Sequence, residues 1–452
     1  MPRFFSIENI ILFVIYFLIS FIIIYFISNY FIKDKKIQKF FIPAYLFKIL
    51  MGLAFALVYE YYYKWLGDSF YYYKNSCALG DLFFTNTEIY FKMLFGWINY
   101  SNIYTLPADI GYLPRSDASV YAVHRLISPF SIIGLKNYYL ILICLNSFLF
   151  LINWKFFRFL QKEYPDKTKI IAIVLLFFPS VYFWGSGIMK DALTFSFTLL
   201  FILCFYKIVL KFKFKIKYFI LFALSFYILK ELKPYILYSL IISCIVLLAF
   251  TYLNKFKNKI IKFLFFPFVL ILAGTLGIFF LQRVANNVGG VYSSVDSMLR
   301  KASAAQLDLK QDYYQGNSFD IGDLEPTVSS AVAILPAAII AGLLRPFIWE
   351  VRSVSMVLSG IENLILLLII LYTIFYSIKK SILYSYKILI NNPFLIFCLI
   401  FSLTMAAIVG LSTSNFGALA RFKIPFLTFF TLFWLFLYDE LKKKFNNLKG
   451  GV

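Results

Sequence analysis

The sequence predicts an all-α protein: a polytopic bundle of transmembrane helices with about eleven spans, one re-entrant or peripheral segment and two long outer-face loops. Three observations carry that expectation. Hydrophobic residues fill 62% of the 452 positions and aromatic ones 21%, with a mean hydropathy of +0.80. A soluble chain of that composition could not cover its surface with polar groups. Apolar runs recur along the whole length at about the 20 residues that a hydrocarbon layer of ~30 Å requires of a helix. Lysines gather in short clusters between the runs, as in Lys33, Lys35, Lys36 and Lys39, or Lys211, Lys213, Lys215 and Lys217. This is the positive-inside pattern, and it marks those clusters as cytoplasmic.

Taken in order, the first run, Ile7 to Ile32, is too long for a signal-peptide core and lacks a small-residue cleavage site, so it reads as an anchor. Spans are expected near 8–32, 41–63, 138–153, 169–185, 193–210, 218–232, 235–253, 263–281, 361–378, 393–411 and 425–438. This topology puts the N-terminus outside, the C-terminus in the cytoplasm and every lysine cluster inside. Val328 to Leu344 is apolar but contains Pro336 and Gly342. A span there would invert the later lysine clusters, so it is expected to be re-entrant or to lie against the bundle, where protein covers its backbone. The chain, 1–452, reads as one integral membrane domain with outer loops at 64–137 and 282–327. No internal repeat is visible, which argues against an inverted-repeat transporter.

The net charge of +22 orients the protein and does not call for a nucleic-acid partner; membrane lipids are the expected surroundings. Cys77, Cys144, Cys204, Cys244 and Cys398 form neither a disulfide framework nor a metal spacing. A phosphate-binding Walker loop, a dinucleotide fingerprint, HExxH and GxSxG are all missing from the sequence. No cofactor is expected, no metal ligands are assigned, and ATP-driven transport by this chain alone is disfavoured.

Four stretches are candidates for chemistry. A long hydrophobic segment ends in Tyr61-Tyr62-Tyr63, and Gly67-Asp68 follows, with Tyr71, Tyr72 and Tyr73 beyond. The aromatics read first as interfacial belt and packing, and at the outer face they also suit stacking on a sugar ring. Next, Pro179 to Trp184 leads through small residues to Lys190-Asp191 at the start of a span. Ionisable residues near membrane depth are functional candidates; the alternative is a helix-start carboxylate favoured by the dipole, with Lys190 snorkelling. The third and fourth stretches are Arg345-Pro346-Phe347-Ile348-Trp349-Glu350 and Arg421-Phe422-Lys423-Ile424-Pro425, where proline stiffens the backbone that carries the cations.

Arginine breaks the lysine pattern. In the expected topology only Arg158 is cytoplasmic, whereas Arg3, Arg115, Arg125, Arg283, Arg300, Arg345, Arg352 and Arg421 lie outside. A guanidinium fork suits phosphate better than an ammonium does, so Arg345 and Arg421 are candidates for a phosphate or pyrophosphate ligand, against pairing with outer carboxylates or lipid headgroups. Lys48, inside the second span, either snorkels or serves a buried pair. His124, the only histidine, suits proton transfer, although a lone loop histidine is more often structural.

On Gly67-Asp68, the Pro179–Asp191 turn, Arg345 to Glu350, and Arg421 to Pro425, the chain resembles the GT-C superfamily of lipid-linked-sugar glycosyltransferases. It differs from many members in having a span ahead of the one leading to the first loop, and in lacking a paired acidic motif there. The resemblance implies a bacterial inner-membrane enzyme of surface-glycan assembly, moving sugar from a polyprenyl phosphate or pyrophosphate carrier to a glycan or lipid acceptor on the outer face. It implies Asp68 as the general base and Asp191 as the group orienting the acceptor or Lys190. Tyr72, Lys190, Arg345, Glu350, Arg421 and Lys423 would bind substrate. A repeat-unit polymerase is a close variant, and a lipid-linked glycan flippase, which needs no base, is the rival from another class.

Overall fold

The computed structural model describes residues 4–99, 102–103, 117–255, 294–311, 317–352 and 354–449, together with 268, 271, 272 and 275. Among them the regular structure is helical, apart from one isolated antiparallel bridge between Ser318 and Asn415. The chain divides into two compact units, Met1–Lys233 and Pro234–Val452.

The first unit contains α1 (Ile7–Phe31), α2 (Lys35–Leu57), α3 (Asp68–Thr85), α4 (Thr87–Leu94), α5 (Ala118–Ile133), α6 (Tyr138–Glu163), α7 (Thr168–Leu176), α8 (Pro179–Trp184), α9 (Lys190–Phe205) and α10 (Ile216–Leu232). Several starts are set by side chains that accept the otherwise unpaired amide hydrogens of the first turn. Asp34 does this for α2, Asp117 for α5 and Asn137 for α6. Helices α2 and α9 continue through π-helical turns, Val58–Tyr62 and Tyr206–Leu210. The long, mostly buried α6 is the hub, contacting α1, α2, α5, α7 and α9. Helix α1 presents its sides outward: only 6% of its apolar window is buried, against 72% for α6 and for α9.

The second unit contains α11 (Pro234–Leu253), α12 (Val295–Asp308), α13 (Val328–Leu344), α14 (Val354–Lys380), α15 (Ile382–Asn391), α16 (Pro393–Ser412), α17 (Phe416–Phe422) and α18 (Ile424–Lys449). Its centre is α16. Ile396 packs with Val246 and Phe250 of α11, and the rings of Phe397 and Phe401 stand edge-on to Phe429 of α18.

Among the described residues, eight helices are long and apolar enough to cross a membrane: Ile7–Phe31, Lys35–Tyr62, Tyr138–Glu163, Lys190–Leu210, Pro234–Leu253, Met356–Lys379, Pro393–Ser412 and Ile424–Lys443. Each coincides with an expected span. Of the other three expected segments, one is broken, one forms a helix shorter than those eight and one lies mostly outside the described residues. The run 169–185 is not one helix: it divides into α7, nine residues, and α8, six residues. Pro179 lacks an amide hydrogen and pushes Phe178 out of the helical region, to φ −78°, ψ 111°. The run 218–232 lies in α10, which has 17 residues and carries Lys217, Lys230 and Glu231. The run 263–281 lies mostly outside the described residues, as do Asp109, Arg115, Arg283 and Gly289-Gly290.

The stretch 64–137, expected as a loop, holds α3, α4 and α5, and the described part of 282–327 holds α12. There Asp320 and Asp323 fold around Lys310, whose ammonium reaches them at 2.8 and 2.7 Å. Gln306 of α12 donates to the Gly322 carbonyl at 3.0 Å and accepts from the Leu324 amide at 2.8 Å.

The segment 328–344 forms α13, which lies flat against α16 through small residues. A Cβ placed on Gly410 would stand 2.0 Å from the Ala338 carbonyl oxygen, and one on Gly342 would stand 2.3 Å from that of Ala406. Backbones approach this closely only where side chains are missing on both sides. Gly410→Ala is therefore expected to cost about 1–3 kcal/mol by overpacking, measured as a lower melting temperature of the purified protein in detergent. An unchanged melting temperature would mean that the two helices have room between them.

Candidate functional site

In the first unit the site is built on an irregular turn. Lys64 (φ 49°), Trp65 (φ 62°) and Gly67 (φ 111°) all have left-handed backbone. Glycine adopts this freely, but Lys64 and Trp65 persist there only where surrounding contacts over-determine them, at about 1–3 kcal/mol each. Here Trp65 supplies those contacts. Its indole is buried, 5.0 Å from the Tyr138 ring and 5.3 Å from Phe70, and its amide donates to the Tyr59 carbonyl at 2.8 Å. The turn delivers Asp68 as the first residue of α3, exposed and at the positive end of that helix.

A second turn, 185–189, delivers Lys190 and Asp191 to the start of α9. It is held from below by two buried residues. Lys48 of α2 donates to the Gly185 carbonyl at 3.1 Å and the Ser186 hydroxyl at 3.3 Å. Asn146 of α6 donates to the Ser186 carbonyl at 2.7 Å. Lys48 thus neither snorkels nor meets a carboxylate among the described residues; it fastens the turn that precedes the charged pair.

Lys190 is the centre of the cluster. Its ammonium donates to the Ser119 hydroxyl at 2.6 Å, and Ser119 in turn donates to Asp117 at 2.7 Å. It lies 5.9 Å above the Tyr72 ring. The charges acting on it are those of Asp117, Lys233, Asp68 and Asp191. Three carboxylates and a second ammonium therefore act on one lysine. Asp191 itself is buried and pairs with Lys233 at 2.5 Å, which ties the start of α9 to the end of α10. The antiparallel α9–α10 pair is packed midway by the rings of Phe201 and Phe222 at 4.7 Å.

His124 on α5 is fully buried beside the Tyr71 and Tyr72 rings, at 5.6 and 6.2 Å. Burial, helped by the Lys190 charge, pushes its imidazole down to about 3, so it is neutral near pH 7. The consequence has a definite sign. An unfolded chain takes up this proton near 6.5, the folded one only near 3, so stability is lost as pH falls from about 6.5 towards 3 and is whole above. His124→Gln is expected to flatten that acid limb in a plot of melting temperature against pH. An identical limb in the variant would assign it to other groups. The next residue along α5, buried Arg125, donates to the Tyr227 hydroxyl at 2.6 Å and lies 3.7 Å from Glu231 of α10.

The second unit gathers the other candidates. Arg345 follows α13 directly. One guanidinium nitrogen meets Glu350 at 3.1 Å, another donates to the Asp320 carbonyl at 3.1 Å, and the group lies over the Phe319 ring at 5.1 Å. The second oxygen of Glu350 accepts from the Phe347 amide at 2.9 Å. The buried Lys423 donates to the Arg345 carbonyl. Burial pushes its ammonium down to about 7, against the opposing pull of Glu350 and Glu362. The bridge at Ser318 and Asn415 positions α17, whose start Asn415 caps and whose last turn carries Arg421, half-buried, two residues before Lys423.

The expected residues thus fall into two groups, Asp68, Tyr72, Lys190 and Asp191 in the first unit, and Arg345, Glu350, Arg421 and Lys423 in the second. Sequence reasoning singled out neither Asp117, Ser119 nor Lys233. The signal for Asp117 and Ser119 was an Asp-x-Ser ahead of an apolar periodic run, a helix-start pattern. Lys233, in Lys230-Glu231-Leu232-Lys233-Pro234, carried no local signal.

Eight long apolar helices define the class: a multi-pass membrane protein. No family model, curated protein or solved structure matches the chain.

Proposed function

We propose that the protein is an integral membrane glycosyltransferase that takes its sugar from a polyprenyl phosphate or pyrophosphate carrier, in surface-glycan assembly at the outer face of a bacterial inner membrane. The observation supporting this reading is Asp68, an exposed carboxylate within the electrostatic reach of Lys190 at the head of a spanning helix. In the step, the acceptor oxygen bonds to the anomeric carbon while the bond from that carbon to the carrier phosphate oxygen breaks. Asp68 takes the acceptor proton, and the phosphate leaves on its lipid. Lys190, fixed by Ser119 and Asp117, holds negative charge developing nearby, the kind of preorganised electrostatic help that is often the largest contribution. Asp191 positions Lys190 through its pair with Lys233. Tyr72 offers a ring face beside the ammonium. In the second unit Arg345, Glu350, Arg421 and Lys423 form a cationic group suited to carrier phosphate. The lysine clusters place the N-terminus outside and the C-terminus in the cytoplasm on this reading.

The test uses the full chain in nanodiscs with a radiolabelled polyprenyl-linked glycan. Transfer of label to an acceptor with release of polyprenyl phosphate or pyrophosphate supports the proposal. In proteoliposomes, movement of the intact lipid-linked glycan between leaflets, with its glycosidic bond unbroken, would replace it with a flippase.

A further inference from the structure

At the end of α9 opposite Asp191, the first unit encloses a second polar site. A cavity of about 350 Å³ opens between α6, α9 and the start of α10, rimmed by Lys155, Arg158, Lys162, Lys207, Lys213 and Lys217. The 16 residues from Asp191 to Lys207 place it about 24 Å along α9 from the charged cluster. Helices α6 and α9 both qualify as spans, so this end lies towards the other membrane surface. A second cavity, against Lys33 and Gln161, shares Arg158 and Lys162. Asp34 lines the second cavity, and Glu163, which follows Lys162, is engaged by Lys211 at 2.8 Å, Lys207 at 4.0 Å and the Tyr206 hydroxyl at 3.0 Å. Arg158 contrasts with it: its Nε is buried and has no hydrogen-bond partner among the described residues. A buried guanidinium N–H without an acceptor is costly, and Arg158 itself lines both cavities.

We infer that this cavity binds a phosphate-bearing lipid headgroup, with Arg158 as its principal contact. A phosphate diester offers acceptor oxygens to the Arg158 guanidinium, and basic pockets between spanning helices are where such headgroups bind. The lipid is favoured over free phosphate because the cavity wall also includes Leu200, Leu203 and Leu221. These give an acyl chain an apolar path next to the cations. The site requires neither the sugar-transfer reading nor a particular orientation of the chain.

The experiment counts lipids retained by the full chain, using native mass spectrometry after exchange into detergent with phosphatidylglycerol or phosphatidylcholine, and with inorganic phosphate as a separate competitor. The wild type is expected to retain phosphatidylglycerol over phosphatidylcholine, and Arg158→Gln to weaken that retention about tenfold, the size of one lost charge-assisted hydrogen bond. Lys213→Gln, at an exposed position between helices where folding does not depend on the side chain, should weaken it two- to threefold, roughly the smaller effect of an exposed cation. Equal retention by the wild type and both variants would overturn the assignment. So would displacement of the lipid by inorganic phosphate at matched concentration, which would make the occupant a free anion.

Discussion

Asp68→Asn is expected to lower sugar transfer by about 10²–10⁴-fold, the range for removing a general acid–base group, while leaving yield and melting temperature unchanged. The substitution keeps the size of the side chain and its place at the first position of α3. Because Asp68 is exposed, losing its charge disturbs no core. What is lost is the proton acceptor and one of the three carboxylates around Lys190. The measurement is turnover of a polyprenyl-linked donor by the purified variant, with binding of the donor followed separately. A fall in turnover with binding retained fits a base. Normal turnover would remove Asp68 from the mechanism, and loss of binding with turnover per bound donor intact would make it a binding group.

Asp191→Asn should have the largest effect on stability, about 3–5 kcal/mol, because it leaves Lys233 buried without its counter-charge. The loss combines a structural and a functional part. Lys190 is the neighbour of Asp191 on the first turn of α9, so loosening the α9–α10 closure releases the ammonium that Ser119 and Tyr72 hold. Asp191→Leu combined with Lys233→Met removes both charges, and is expected to recover most of the melting temperature while activity stays low. That separation marks the pair as positioning Lys190. If Asp191→Asn melted like the wild type, the pair would contribute nothing to the fold.

The eight long helices were legible because run length and hydropathy are local properties, readable within a window of twenty residues. The break at Pro179 was legible in principle too, since the residue before a proline resists helix, yet the surrounding hydropathy outweighed that signal. The site was visible only by halves. Asp68, Lys190 and Asp191 stood out as charges at the ends of apolar runs. Lys233 did not, because its partner lies 42 residues away and nothing nearby in sequence marks a lysine as buried. Lys48 was conspicuous but ambiguous, because its acceptors are a carbonyl and a hydroxyl contributed by a turn 137 residues on. The tertiary turn around Trp65 was hidden for another reason. Left-handed backbone at Lys64 and Trp65 runs against the preference of both residues, and only packing around the indole imposes it.

The contact between α13 and α16 has a mechanical consequence. Backbone rests on backbone at Gly342 and Gly410, so no side-chain layer remains that could shear or rotate between the two helices. A rearrangement within the second unit therefore carries both as one rigid plate. Its bending falls in the connections at their ends, at 345–352 and 413–415. Arg345 and the Asn415 cap sit in those connections, where a small rotation of the plate becomes a displacement of the cationic group.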